Sequence, residues 1–339
     1  MAGKLVYTLQ DYQEAATKYR KDLLMLPIIG IQDTVKYMTC RPGIRHKEQV
    51  AAVSGDAQFA PYKPSRFTDF NLRLDFRTLE TFFGSVVAKF EPNSAISTLL
   101  GQGATKGDGQ MRTPTALHVL SLIAKGLSEH LNDAIWSGKR NPSGDTNADL
   151  FDGFDTITQN EITAGKIAES EGNYMKLTDE ITKTNAVDIA KEILFSLDPR
   201  LRKEELYMFC SQDFVDKYNE AYLMSHGGII YNTHYGQNVV EGSNGRLKMV
   251  PLYNKVDSKF IHICPKSNML VGYDQMGDME NILVKEYEPF ILSYIATMFF
   301  GVQFESIDKR RFKAIELKGS SSSSGTSSSG TNSGTTAGS

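Results

Sequence analysis

The sequence predicts an α+β fold, and three observations lead there. Strand-like segments follow one another without the regular strand–helix alternation of a doubly wound sheet. One well-marked long helix stands among them. A 26-residue stretch, Arg41 to Arg66, has no run of apolar residues at helical spacing, yet it lies between two segments that read as strands.

Taken in chain order, Leu9, Tyr12, Ala16, Tyr19 and Leu23 recur at spacings of three and four. They mark an amphipathic helix to about Leu24, with Thr8 as its cap and Asp11 three residues later. Such a helix can dock on its own domain or reach another subunit as a terminal arm. Thr34 to Thr39 reads as a strand. Phe70, Leu72, Leu74 and Phe76 alternate with Asn71, Arg73, Asp75 and Arg77, the period of a half-buried strand. Between these strands, Arg41 to Arg66 carries Pro42, Pro61 and Pro64, five Lys or Arg residues and two acidic ones. Structureless connections beyond about 12–15 residues are uncommon inside a compact domain and are usually functional or disordered. A basic excursion held at both ends by a sheet suits contact with a neighbouring molecule, which points to assembly before catalysis.

A glycine-rich turn, Gly101 to Gly109, leads into the long helix. Thr113 is its cap, Pro114 takes the first helical position, and Gly138 follows the last turn. Leu117, Leu120, Ala124, Leu127, Leu131 and Ala134 or Ile135 form its buried stripe; about 24 residues at ~1.5 Å each make a rod of roughly 36 Å. Asp145 to Ile157 reads as a polar, Gly- and Asp-rich surface loop leading into Phe151, Phe154 and Ile157. Asn185 caps a helix through Leu197, stopped by Pro199. Leu206 to Cys210 is a short buried strand, and Ser211 caps an amphipathic helix to about Ser225. Asn244-Gly245, between Val239-Val240 and Leu247–Val250, is a two-residue hairpin signal. Strands follow at Phe260–Cys264, Met269–Tyr273 and Ile282–Tyr287, then a long one at Ile291–Phe304 and a last at Arg311–Leu317. The final 21 residues, Gly319 to Ser339, are only Ser, Gly, Thr, Asn and Ala, the composition of a flexible tail.

Composition excludes several classes of function. A formal net charge of −3, with both signs mixed along the chain, gives no strong field toward nucleic acid or a membrane. Cys40, Cys210 and Cys264 are far apart and form no CxxC pair, which fits a reducing compartment and argues against a disulfide framework or zinc site. The apolar run from Leu23 to Ile31 is too short to cross a bilayer and is broken by Pro27. Gly101-Gln-Gly103-Ala-Thr-Lys106 has lysine where a dinucleotide fingerprint needs its third glycine, and it lacks the Lys-Ser/Thr pair of a phosphate loop. His118 and His130 point about 120° apart on the long helix, at ~100° per residue, and His226 and His234 lack a third ligand. Asp149, Asp152 and Asp155, with Glu161 downstream, have neither the spacing nor the glycine of a calcium loop. No catalytic, cofactor-binding or metal-binding residue emerges, and no cofactor is implied. A metal-dependent α+β enzyme built on Asp149 to Glu161 is the remote alternative.

The order of elements resembles the major capsid protein of tailed bacteriophages, whose Hong Kong 97-type fold is also found in encapsulin shells. TCRPGIRHKEQV (from Thr39) resembles the start of that family's extended loop, and ADLFDGFDTI (from Ala148) the entry to its axial domain. The segment from Lys266 to Leu317 resembles its carboxyl-terminal block. The resemblance implies an N-terminal arm over 1–30 and an extended β-hairpin loop with its base strands over 31–80. It implies a peripheral domain over 81–154 and 276–305 with a spine helix at 114–137, an axial domain over 155–275 and 306–318, and a tail over 319–339. It further implies hexamers and pentamers that close into an icosahedral shell around double-stranded DNA, assembled in the host bacterial cytoplasm and carried in the virion. A separate scaffolding protein, a portal and a decoration protein are the implied partners, with weak DNA contact and no membrane. Arg41, Arg45, Lys47, Glu48, Lys63 and Arg66 become the inter-subunit contact residues of the extended loop. An encapsulin-like compartment is the nearer alternative.

Overall fold

The computed structural model describes residues 9–19, 23, 31–56, 61–64, 71–91, 112–226, 238–255, 258–274, 282–288 and 291–318. Helix α1 (Leu9–Lys18) and the single turn α2 (Gln32–Val35) precede strand β1 (Thr39–Pro42). Strands β2 (Lys47–Asp56), β3 (Asn71–Glu80) and β4 (Phe82–Phe90) lead to helices α3 (Arg112–Ser137) and α4 (Phe154–Thr163). Then come β5 (Tyr174–Lys176), α5 (Ala186–Ser196), β6 (Leu206–Ser211) and α6 (Gln212–His226). The chain ends through β7 (Leu247–Leu252), β8 (Phe260–Cys264), β9 (Met269–Asp274), β10 (Ile282–Glu288), β11 (Ile291–Phe304) and β12 (Lys313–Glu316).

Strand β11 organises the first sheet because its 14 residues serve three partners. One edge pairs antiparallel with β4, from Leu292↔Phe90 to Phe300↔Phe82. The other edge takes β10 along Ile291–Ala296 and β9 along Phe299–Phe304, and β1 joins β9 in parallel. Alternation sorts the two faces. Leu292, Tyr294 and Ala296 pack with Val86, Ala88 and Phe90 beneath α1 and α3. Helix α1 is docked on its own chain: Tyr12 and Ala15 are buried, Tyr12 meets Phe90 edge-on at 5.3 Å, and Gln13 Nε2 donates to the Val284 carbonyl at 3.2 Å. Within the chain this helix packs on its own domain.

A second sheet runs β5-β12-β8-β6-β7. Helices α5 and α6 cover one face through Ile189, Ile193, Phe214 and Tyr218. The opposite face shares a core with the first sheet, in which Phe209, Cys264 and Phe312 meet Trp136, Phe154, Phe300 and Phe304. Strand β8 is buried at every position.

Several expectations need correction. Thr34 to Thr39 is not a strand: α2 occupies Gln32–Val35, and pairing starts at Thr39. Ile31, Thr34, Val35 and Met38 are all buried, a helical spacing that the β-branched composition hides. Arg41 to Arg66 is not structureless, since Lys47–Asp56 is a paired strand. Asp145 to Ile157 ends in helix α4, which starts at Phe154 behind Gly153. The Asn244-Gly245 turn is present, with φ of 52° and 79°, but Val239 makes only an isolated bridge to Lys248. Strand β9, placed by sequence in the second unit, belongs to the first sheet, because a 3-10 turn at Lys266–Asn268 carries the chain across. The glycine-rich turn, Thr8, Arg66, His234 and the tail lie outside the described residues.

Candidate functional site: the root of a hairpin arm

Strands β2 and β3 pair with each other in an unbroken antiparallel register from Lys47↔Glu80 to Asp56↔Asn71 and join neither larger sheet. Ten residues at ~3.4 Å each give this ribbon a length of about 34 Å. A two-stranded ribbon is marginal in water by itself, so the contacts at its base decide whether it holds a direction. The base carries a small core of its own, Ile44, Val50, Leu79 and Leu270, all buried.

The backbone enters and leaves this root under tight control. Gly43 N donates to the Tyr273 carbonyl at 2.8 Å as β1 gives way to the arm. On the return, Thr81 separates β3 from β4: its N–H donates to the His46 carbonyl at 2.7 Å and its hydroxyl to the Ile44 carbonyl at 3.0 Å. Beneath this joint the first sheet presents two glycines as one rung, Gly272↔Gly301. A Cβ on Gly301 would lie 2.1 Å from the Glu80 carbonyl oxygen, and one on Gly272 would lie 3.0 Å from Thr81 Cγ2. The arm crosses the sheet where no side chain stands in the way.

Ion pairs complete the root. Arg41 reaches Glu48 at 2.5 Å, Arg45 reaches Asp274 at 2.5 Å, and Lys47 reaches Glu80 at 3.1 Å. Each has a partner that is well exposed, so each is worth little on its own. Arg77 differs. Its Nη2 donates to Glu161 Oε1 at 2.7 Å and Gln303 Oε1 at 3.0 Å, with the Arg77 and Glu161 side chains only 12% and 15% exposed. Four of the six residues singled out from sequence therefore engage their charges within their own chain. Lys63 stands exposed beyond the paired strands, and Arg66 falls outside the described residues. Sequence reading placed Arg77 only in a strand and Glu161 only in the acidic stretch, and it missed their contact, Asp274, Gln303 and the pairing of the two glycines. The one available signal was a glycine, Gly301, in the middle of an apolar strand.

The arm and the adjoining strand carry exposed apolar groups: Tyr62 is 90% exposed, Phe76 62%, Phe83 60% and Val87 56%. Phe83 lies 5.0 Å from Phe299, and Phe299 lies 5.7 Å from His46, so this apolar strip runs into the root.

The acidic stretch does not converge on one site. Asp149 accepts from Thr146 N at 3.1 Å, and Asp152 accepts from Arg140 N at 2.8 Å. Asp155 holds Lys255 at 2.8 Å, and Glu161 holds Arg77. Among the described residues no three His, Cys, Asp or Glu side chains are grouped to hold a metal ion, and no helix is long and apolar enough to cross a membrane. A buried polar cluster lies between the sheets. Lys255, lodged 4.3 Å from the Trp136 ring, donates to Asp155 and to Ser258 Oγ. His262 Nε2 lies 2.9 Å from Thr158 Oγ1, whose hydroxyl donates to the Phe154 carbonyl at 2.8 Å. The other ring nitrogen, Nδ1, faces Asp155 Oδ1 at 3.7 Å. Burial, and then the Lys255 charge, hold His262 well below its ordinary pKa, and burial lowers that of Lys255. This cluster ties α4 to the second sheet.

No protein-family model matches the sequence, and no curated protein sequence matches it. Solved structures do match in shape. A chain of the satellite phage P4 procapsid that includes the size determination protein superposes with a TM-score of 0.52 at 15% identity, over 87% of this chain and 90% of that one. The capsid of an empty GTA particle gives 0.54 at 12% identity, over 85% and 90%. The holo-SrpI encapsulin complex of Synechococcus elongatus PCC 7942 gives 0.50 at 10% identity, over 84% and 86%. The chain has the Hong Kong 97-type capsid fold.

Proposed function

We propose that this protein is a structural shell subunit, the major capsid protein of a tailed phage, and that its arm lies over a neighbouring copy. One observation carries the reading most: a ribbon that pairs only with itself projects from a root held by a small core, ion pairs and a glycine crossing. A group this well aimed has a use only if something meets it. Tyr62 and Lys63, with Arg66 beyond them, are the proposed contacts toward the neighbour. Arg41, Arg45, Lys47 and Glu48 hold the arm in position for that contact. The first sheet with α3 serves as the peripheral domain, and the second sheet with α5 and α6 as the axial domain. The subunits form hexamers and pentamers around double-stranded DNA, with scaffold, portal and decoration proteins as separate chains.

The test removes the outer arm and keeps its root. Replacing residues 52–75 by an Asn-Gly turn joins Ala51 to Phe76, a pair already opposite in register, and retains Val50, Arg77 and Leu79. The expected product is a folded, soluble chain that no longer forms capsomers or shells by size-exclusion chromatography and negative-stain microscopy, whereas the full chain does. Normal shells from the shortened chain would overturn the role of the arm. A full chain that stays monomeric even with scaffold or a crowding agent would overturn the capsid reading. An encapsulin-like compartment shares the shape, as the cyanobacterial match illustrates. Particles purified from their natural source separate the two readings by content, DNA against an enclosed protein.

A further inference from the structure

Among the described residues of the paired strands, Arg77 is the one whose charge leaves the ribbon and enters the body of the subunit. It stands opposite Val50, three rungs inside the end pair Lys47↔Glu80. Its guanidinium bridges two elements that do not touch the arm in any sheet. Glu161 lies on α4, which is bound to the second sheet through Asp155–Lys255 and Thr158–His262. Gln303 lies on β11, and its carboxamide closes the circuit. Nε2 donates to the Thr78 carbonyl of the arm at 3.2 Å, while Oε1 accepts from Arg77 and from Phe304 N at 3.0 Å. Lys166 adds a second cation 3.5 Å from Glu161 Oε2. Arm, first sheet and second sheet thus meet at one guanidinium.

We infer that Arg77, Glu161 and Gln303 form a clamp that sets the angle of the arm against the second sheet, and that opening it frees the arm as a unit while both sheets stay folded. The lever is long: a tilt of about 10° in a ribbon of ~34 Å moves its end by roughly 6 Å. The clamp has two states in physical terms. Loss of the Glu161 carboxylate leaves a guanidinium buried with one neutral partner, and a buried charge deprived of its partner leaves for water when the chain allows it. Lysine cannot replace Arg77, because a single ammonium lacks the fork that spans two acceptors. Arg77 is a positioning residue in this scheme. Its effect on shell geometry rests on the capsid reading, but its effect on the arm does not.

Hydrogen exchange on the unassembled full chain separates these effects. In Glu161→Ala and Arg77→Met, the amides of Gln49–Ala51 and Arg77–Leu79 are expected to exchange roughly tenfold faster or more, with β6 and β8 unchanged. The charge-swapped pair Arg77→Glu with Glu161→Arg is expected to restore most of the protection. Unchanged arm amides would overturn the clamp, and so would an equal loss of protection in both sheets, which marks a general loss of stability. If the two charge variants do not fold, Gln303→Ala removes the arm carbonyl contact without burying an unpaired charge, and the same comparison decides. For shells made from the variants, the expected outcome is a broader spread of diameters. A wild-type chain that never assembles refutes the capsid reading and leaves the exchange result to judge the clamp.

Discussion

The glycine crossing under the arm yields the most demanding prediction, because backbone alone sets it. Gly301→Ala places a Cβ 2.1 Å from the Glu80 carbonyl oxygen, 3.0 Å from its carbon and 3.1 Å from Thr81 Cα. None of these atoms is the end of a flexible side chain. The joint must retreat by about 1 Å, and it cannot do so freely while Thr81 is bonded to His46 and Ile44. Overpacking of this kind costs about 1–3 kcal/mol, more where the backbone resists; with every obstacle here backbone, about 3 kcal/mol is expected. At roughly 2–4 °C per kcal/mol, the scale for chains of 150–250 residues, melting falls by about 6–12 °C. Gly272→Ala meets Thr81 and Leu79 side chains at 3.0 and 3.1 Å and is expected to cost less. Gly126→Ala, within α3, meets nothing within 4 Å and is expected to stabilise by up to about 1 kcal/mol through helix propensity. Differential scanning fluorimetry of the three variants, with circular dichroism to confirm the fold, gives the ranking. If Gly301→Ala melts within about 1 °C of the parent, the arm does not cross the sheet at this point.

Two further outcomes follow. The ordinary histidine pKa of 6.5 applies to the unfolded chain, and the folded value lies well below it. Stability is therefore unaffected by His262 above about pH 6.5 and falls as pH drops below it, by up to ~1.4 kcal/mol per unit, since only the unfolded chain takes up the proton. Urea midpoints from pH 7.5 to 5 are expected to fall less steeply for His262→Gln than for the parent, and parallel curves would refute this. Among the thiols, Cys40 is exposed, whereas Cys210 and Cys264 are buried, with burial pushing the Cys210 thiol up to about 12 and raising Cys264 as well. A thiol reagent is expected to titrate one group per native chain and three in denaturant; rapid native labelling of a second would contradict the packing of β6 or β8.

The sequence made the regular elements legible wherever one periodicity prevailed. Ile291–Phe304 and Phe260–Cys264 end where the apolar runs end, and Ser211 does accept from Phe214 N at the start of α6, at 3.3 Å. Asn185 sits at the cap position of α5 for another reason, since its side chain bonds Thr182 N and the Glu180 carbonyl. Strand β2 was illegible because prolines flank it and its apolar residues are small: Val50, Ala51, Ala52 and Val53 make a poor strand until Arg77, Phe76, Asp75 and Leu74 stand opposite. The root was harder still. Arg77 and Glu161 are 84 residues apart, and Arg45 and Asp274 are 229. Each alone reads as an ordinary surface charge, and only the topology makes either a contact.

That topology bears on where the stability of the arm resides. Val50 and Leu79 are buried at the base, yet one rung farther out Phe76 is 62% exposed, and beyond the paired strands Tyr62 is 90% exposed. Aromatic side chains carry a large apolar surface, and leaving it in water forgoes roughly 1.5–3 kcal/mol per side chain. A ribbon meant to remain solvated would put polar or charged groups at such positions, as edge strands commonly do. Here the described ion pairs of the arm lie at its root, where they fix direction, and Phe76 and Tyr62 expose aromatic surface farther out. This division makes the subunit unremarkable in isolation and places the unrealised stabilisation where a second molecule would release it. Covering Tyr62 and Phe76 by a second molecule would thus be the physical counterpart of a root that resists tilting.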